Sequence, residues 1–80
     1  MEVAVDISLY PLDADFIPPI KDVIERLNGY PDILVSTNPM STQLRGDFDV
    51  VMDALKAEIG RSFEVLPKAV FAIRILNNPL

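Results

Sequence analysis

The order in which the hydrophobic periodicity changes is the feature that most constrains how this chain folds. Apolar residues first occupy every second position, at Val3, Val5, Ile7 and Leu9. This alternation is typical of a strand with one buried face, and it predicts a strand over residues 2–10. Apolar residues then recur at intervals of three and four, at Ile20, Val23, Ile24 and Leu27. That spacing predicts a helix over 17–28, and we expect Gly29 to close it in the left-handed conformation.

The second half of the chain repeats this alternation of strand and helix. A β-branched run and a weaker, more polar run flank the turn signal Asn38-Pro39 and predict a hairpin of strands over 32–37 and 40–45. Asp47 then provides an N-cap for a helix over 47–63, with Gly60 as its weak point. The apolar run that follows Pro67 predicts a last strand over 69–76.

The resulting order, β-α-β-β-α-β, predicts a ferredoxin-like α+β fold. Right-handed crossovers place both helices on one face of a four-stranded antiparallel sheet, in the strand order four, one, three, two. At 80 residues, the chain has room for one domain over 1–80. The other face of the sheet is therefore left open to water, a ligand or a partner.

Polar side chains are expected to gather on that open face. If Val3, Val5, Ile7 and Leu9 point toward the helices, the polar residues that point away from them on the central and last strands are Asp6, Ser8, Tyr10, Ser41, Gln43, Arg45 and Arg74. Carboxylate, hydroxyl, amide and guanidinium groups beside one aromatic ring suit a small heteroaromatic ligand. The alternative is a solvated or dimer-forming face in which Asp6 and Arg74 form a cross-strand ion pair.

Composition narrows the functional classes. With seven Lys and Arg against twelve Asp and Glu, the net charge is −5, so we expect no nucleic-acid or membrane partner. The chain contains no Cys and no His, which removes the usual zinc ligands and the commonest general base, so we expect no metal, no cofactor and no enzymatic activity. The start of the chain has no basic segment typical of a signal peptide, and we expect a cytoplasmic protein.

Two sequence segments carry a resemblance to a known family. The first strand ends in Ser8-Leu9-Tyr10-Pro11-Leu12, and the third strand runs through Ser41-Thr42 to Gly46-Asp47 immediately before a helix. These segments resemble the S-x-Y-P-L and S-T-x-x-x-G-D motifs of the YkoF-type thiamin/hydroxymethylpyrimidine-binding family. The resemblance covers nearly the whole chain in register.

This resemblance implies a non-catalytic module that binds thiamin or its hydroxymethylpyrimidine precursor. The alternation in the third strand turns Thr42 and Leu44 toward the helices, but the resemblance includes Thr42 among the matching motif positions. The predicted ligand-binding residues are therefore Asp6, Ser8, Tyr10, Ser41, Thr42, Gln43, Arg45 and Arg74. The competing hypothesis is a regulatory or assembly domain whose open face mediates homo-oligomerisation. Because the domain is small, we expect a homodimer or higher even assembly in either case, with Ala4, Val70 and Ala72 contributing to the contact.

Overall fold

A computed structural model describes residues 1–79 of the chain. The chain forms the strand β1 and the helix α1, the hairpin strands β2 and β3, the helix α2 and the last strand β4. Their bounds are β1 Glu2–Pro11, α1 Ile17–Asn28, β2 Leu34–Thr37, β3 Thr42–Asp47, α2 Phe48–Val65 and β4 Ala69–Asn77. The strands form an antiparallel sheet in the order β2-β3-β1-β4, which confirms the predicted topology and the ferredoxin-like fold.

One face of the sheet packs against both helices. The alternating residues of β1 are buried as predicted, and they meet apolar residues from α1, α2 and β3 in one core. That core consists of Val3, Val5, Ile7, Leu9, Val23, Leu27, Ile33, Leu44, Val51, Ala54 and Leu55. Because side chains alternate along a strand, the burial of this set turns the intervening residues of β1 to the open face.

The hairpin turn is longer than the sequence pattern predicts. The prediction began β2 at residue 32 and β3 at residue 40, whereas these strands begin at Leu34 and Thr42. The side-chain oxygen of Asn38 accepts hydrogen bonds from the backbone N–H groups of Met40 (2.9 Å) and Ser41 (3.1 Å). This Asx-type turn keeps Met40 and Ser41 out of the strand ladder.

The three glycines of the chain differ in their roles, and two of them carried predictions. Gly29 follows α1 in a right-handed conformation with φ −80°, because its N–H bonds to carbonyl groups of the last helical turn, so the prediction of a left-handed cap is wrong. Gly60 does not weaken α2 enough to end it, because buried residues continue on the same helix face to Ser62. Gly46 has a steric role, since a Cβ there would lie 3.0 Å from the carbonyl oxygen of Asp32.

The N-terminus of α2 is capped as the sequence predicts. The Asp47 side chain accepts a hydrogen bond from the backbone N–H of Asp49 (3.2 Å), and Asp49 adds negative charge to the first helical turn. Neither helix in residues 1–79 has the length and apolarity to cross a membrane.

Candidate functional site

The centre of the open face is a three-residue polar cluster around Asp6, formed with Ser41 and Arg74. The strand register places Asp6 opposite Gln43 on β3 and opposite Arg74 on β4. The hydroxyl of Ser41 donates a short hydrogen bond to one carboxylate oxygen of Asp6. The guanidinium of Arg74 donates to the other oxygen from Nη2 at 2.7 Å and from Nε at 3.1 Å. The register between β1 and β4 therefore confirms the predicted cross-strand ion pair.

These hydrogen bonds favour the ionised form of Asp6. The Ser41 hydroxyl, followed by Arg74, holds the pKa of the Asp6 carboxyl below its ordinary value of 3.8. The Asp6 side chain is 24% exposed and that of Arg74 is 85% exposed. The cluster thus presents a partly shielded carboxylate whose cationic partner is largely exposed to solvent.

A small concavity, here called the open-face pocket, lies beside this cluster. Its volume is about 290 Å³. The residues that line it are Asp6, Ser8, Tyr10, Met40, Ser41, Ala72 and Arg74. Five of the eight predicted ligand-binding residues therefore surround one hollow, with the half-exposed ring of Tyr10 at its edge.

The two other predicted open-face residues lie farther along the sheet. Gln43 and Arg45 line a shallow groove of about 620 Å³ that also contains Asp6 and Arg74. Arg45 donates from Nε to Glu2 (3.0 Å) and from Nη2 to the carbonyl oxygen of Pro79 (3.1 Å). Arg45 is therefore engaged away from the open-face pocket, whereas Gln43 stands opposite Asp6.

Thr42 does not share the open face with the other predicted residues. It is buried on the helix side of the sheet at 5% exposure, and its hydroxyl lies 3.1 Å from the hydroxyl of Thr37. Strand periodicity explains this position, because Thr42 is adjacent to Gln43 in β3 and neighbouring side chains point to opposite faces. This position confirms that Thr42 faces the helices together with Leu44, as the alternation in the third strand predicted.

A second concavity, which the sequence pattern did not predict, lies between the start of α1 and the β2–β3 turn. This α1 hollow has a volume of about 450 Å³ and is mainly apolar, with Leu12, Phe16, Ile20 and Met40 among its lining residues. Thr42 lines the α1 hollow as well. Ser8, Tyr10 and Ser41 line both the α1 hollow and the open-face pocket. The signal in the sequence was Leu12, the residue of the first motif that follows the end of β1 and lines this hollow.

The groups around both concavities are suited to hydrogen bonding and ring contacts. Carboxylate, hydroxyl and guanidinium groups border the open-face pocket, and aromatic and aliphatic side chains border the α1 hollow. In residues 1–79, no three acidic side chains come together in an arrangement able to hold a metal ion. All buried side-chain nitrogen and oxygen atoms in this part of the chain have a hydrogen-bond partner.

Solved structures of other proteins share this fold. A Streptococcus pneumoniae protein superposes with a TM-score of 0.90 at 23% identity, covering 100% of this chain and 90% of its own. A hypothetical protein from Methanocaldococcus jannaschii is 29% identical with a TM-score of 0.84, covering 98% of this chain and 81% of its own. A Thermotoga maritima protein, provisionally assigned to thiamine biosynthesis or salvage, is 22% identical with a TM-score of 0.71, covering 94% of this chain and 82% of its own.

The sequence itself also identifies a family. No curated protein matches the chain significantly. The model of the YKOF-related family matches residues 2–75, which include both motif segments and all the residues that line the open-face pocket. Because this match spans nearly the whole chain, the protein belongs to the YKOF-related family.

Proposed function

We propose that this domain reversibly binds thiamin or its hydroxymethylpyrimidine precursor in the open-face pocket. The observation that carries the proposal is the ionised Asp6 beside Tyr10 in a concavity bordered by family-motif residues. Membership of the YKOF-related family supports it, as does the structural similarity to the Thermotoga maritima protein provisionally assigned to thiamine biosynthesis or salvage.

The chemistry of the pocket matches that of an aminopyrimidine. An exocyclic amino group donates hydrogen bonds, and the Asp6 carboxylate only accepts them. The hydroxyl of Ser8 can satisfy a ring nitrogen, and the ring of Tyr10 offers a surface for stacking. Because Arg74 is largely exposed, its side chain can turn into solvent and release one carboxylate oxygen to the ligand.

We propose binding without chemical change. The polar groups of the pocket are a carboxylate with a lowered pKa, hydroxyls and a guanidinium. A carboxylate with such a pKa is a weak base near neutral pH, and general-base catalysis is most effective when the pKa lies near the working pH. These groups are better suited to recognising a ligand than to exchanging protons with it.

A second candidate function is homo-oligomerisation through the open face. Three large apolar side chains on this face are strongly exposed, namely Leu34 (73%), Leu76 (57%) and Val70 (50%). Exposed apolar residues that cluster on one surface are typical of contact sites. We propose a homodimer or higher even assembly, and we expect sedimentation velocity to give at least twice the chain mass at about tens of micromolar. A monomer under those conditions would contradict it.

Calorimetric titration tests the ligand proposal. We expect heat of binding with thiamin or hydroxymethylpyrimidine and a dissociation constant below about 1 mM. Asp6→Asn keeps the side-chain shape but removes the charged acceptor, so we expect affinity to fall about ten- to a hundredfold. Asp22→Asn on the exposed side of α1 is the matched control and should leave affinity unchanged.

Two outcomes would contradict the proposal at different levels. If neither compound produces heat with the wild-type protein at about millimolar concentration, the binding function is wrong. If wild type and Asp6→Asn bind equally well, only the role given to Asp6 is wrong.

A further inference from the structure

One peptide bond at the end of α1 joins an asparagine to a glycine. Asn28 is the last residue of the helix, and Gly29 follows it. The other three asparagines of the sequence precede Asn or Pro, so this pairing occurs once. The backbone nitrogen of a glycine is open to reaction, because its Cα carries no side chain and its backbone rotates freely. Both residues are exposed, so water reaches them.

An Asn-Gly bond can modify itself without an enzyme. The backbone nitrogen of Gly29 attacks Cγ of the Asn28 side chain, and the new C–N bond closes a five-membered succinimide ring. The side-chain nitrogen leaves as ammonia and takes up the proton that the Gly29 nitrogen gives up through water. Water then opens the ring at one of its two carbonyl carbons, which leaves aspartate or isoaspartate at position 28.

The local structure of the folded chain opposes this reaction. The side-chain amide of Asn28 donates a hydrogen bond to the carbonyl oxygen of Ile24 (2.8 Å). The N–H of Gly29 donates to the carbonyl oxygen of Arg26 (3.0 Å), so its proton is engaged. A helical backbone, with ψ of about −42°, also keeps Cβ of Asn28 and the Gly29 nitrogen from the eclipsed arrangement that ring closure requires. The last turn of α1 must therefore unwind before the ring can close.

A buried cluster of Arg26, Tyr30 and Glu58 holds this turn on both sides of the Asn-Gly bond. Arg26 lies two residues before Asn28, and Tyr30 lies two residues after it. Arg26 donates to one carboxylate oxygen of Glu58 on α2, and the Tyr30 hydroxyl donates to the other at 3.0 Å. Glu58 is 3% exposed, so water has little access to compete for these bonds. Unwinding of the turn therefore requires the release of at least one of these two anchors.

We propose that Asn28–Gly29 is a latent deamidation site whose rate is set by the opening of the buried cluster. This inference is independent of the ligand proposed above. In the folded chain, the reaction proceeds only during the fraction of time in which the last turn of α1 is open. Molecules whose helices stay joined through Glu58 keep their asparagine, and molecules in which this contact opens often lose it.

The product of deamidation does not restore the native contacts. A carboxylate at position 28 has no hydrogen to donate to the carbonyl oxygen of Ile24. Its negative charge lies at the C-terminal end of α1, where the helix dipole disfavours it. Isoaspartate also adds one carbon to the backbone between Arg26 and Tyr30, which changes the spacing of the two anchors. Deamidation is therefore a lasting mark on molecules in which α1 has separated from α2 at this end.

Peptide mapping by mass spectrometry measures the reaction on the full chain. Trypsin cleaves after Arg26 and Arg45 and releases residues 27–45 as one peptide. That peptide also contains Asn38, which is an internal control because the nitrogen of Pro39 carries no hydrogen and cannot close this ring. We expect Asn28 to deamidate at least about tenfold faster in urea than in the folded protein at the same pH and temperature, with Asn38 unchanged.

Variants of the buried cluster test its role in the folded protein. Tyr30→Phe removes one anchor and keeps the aromatic ring, so we expect deamidation about two- to tenfold faster than in wild type. Glu58→Ala removes the partner of both anchors and should accelerate the reaction further, up to the rate in urea. Val65→Ala, exposed at the end of α2, is the control and should leave the rate unchanged. In urea, Gly29→Ala should slow the reaction, because its Cβ shields the attacking nitrogen.

Three results would overturn the proposal at different points. Equal rates in urea and in the folded protein would show that the fold does not protect the site. Wild-type rates in both folded Tyr30→Phe and Glu58→Ala would overturn the role of the buried cluster. No deamidation of Asn28 in urea, or an unchanged rate in Gly29→Ala, would overturn the assignment of the reactive bond.

Discussion

Two clusters built from the same three kinds of group lie on opposite sides of the sheet. On the open face, the carboxylate of Asp6 bonds to the hydroxyl of Ser41 and the guanidinium of Arg74. On the helix side, the carboxylate of Glu58 on α2 accepts from the hydroxyl of Tyr30 at 3.0 Å and from Arg26 of α1. The two sets of contacts are chemically alike, but their surroundings differ.

Burial distinguishes the two clusters. Glu58 is 3% exposed, and its three-residue cluster joins α1 to α2 where neither a ligand nor much water can reach the carboxylate. The Asp6 cluster lies beside a concavity, and its arginine is mostly in solvent. Identical groups thus act as a structural cross-link when buried and as a candidate binding site when exposed. If this contrast holds, loss of the buried carboxylate should destabilise the fold more than any change at the exposed cluster.

Removal of the buried carboxylate should have the largest effect. Glu58→Ala leaves the Arg26 charge and the Tyr30 hydroxyl without their partner between the helices. Breaking a buried ion pair on one side typically costs about 3–5 kcal/mol, and we expect the lower end because the Arg26 side chain is 29% exposed. Urea denaturation followed by circular dichroism measures this change. Equal stability of Glu58→Ala and wild type would remove the contrast between the two clusters.

Alkaline pH should have the second-largest effect on stability, because it weakens the buried cluster. Burial, together with the hydrogen bond to Glu58, raises the pKa of Tyr30 above its ordinary value of 10.0. The stability contributed by the neutral hydroxyl is therefore fully present below pH 10.0 and is lost as pH rises through the higher folded-state pKa. We expect the stability advantage of wild type over Tyr30→Phe to narrow above that pH in urea titrations. An advantage that stays constant into strongly alkaline pH would show that Tyr30 does not ionise beside Glu58.

Acidic pH should have the smallest effect on stability, because it acts on Asp6 in the open-face cluster. Because the pKa of Asp6 is lowered, its contribution to stability is present above the ordinary value of 3.8 and is lost as pH falls through the folded-state pKa. We expect a small stability difference between wild type and Asp6→Asn that is constant near neutral pH and disappears in acid. If Asp6→Asn lowered the free energy of unfolding more than Glu58→Ala at neutral pH, the exposed cluster and not the buried one would be the main structural cross-link.

The sequence predicted the open-face cluster better than the buried one. Period-two burial along β1 was enough to place Asp6, Ser8 and Tyr10 on the open face, and the strand order then brought Arg74 beside Asp6. Thr42 was included in the predicted site only because a family motif contains it, and the alternation in β3 correctly placed its side chain on the helix side. Local periodicity was the more reliable guide here because it reports directly on which face a side chain occupies.

Neither the buried cluster nor the α1 hollow could be predicted from the sequence, for a physical reason. A glutamate in a helix is normally expected on the solvent side, and the partners of Glu58 lie 28 and 32 positions away in the chain. The α1 hollow likewise depends on how closely the first turn of α1 approaches the β2–β3 turn. Both features arise from the packing of elements that are distant in sequence, which periodicity within one element does not describe.

Backbone amide chemical shifts during a thiamin titration test the central claim most directly, because they report on both clusters in one experiment. We expect concentration-dependent shifts around the open-face pocket, with the largest at Asp6, Ser8, Tyr10, Ser41 and Arg74. The buried cluster should stay unchanged, with no shifts at Arg26, Tyr30 or Glu58. Shifts centred on the helix-side cluster, or no shifts anywhere at about millimolar thiamin, would contradict the assignment of binding to the open face.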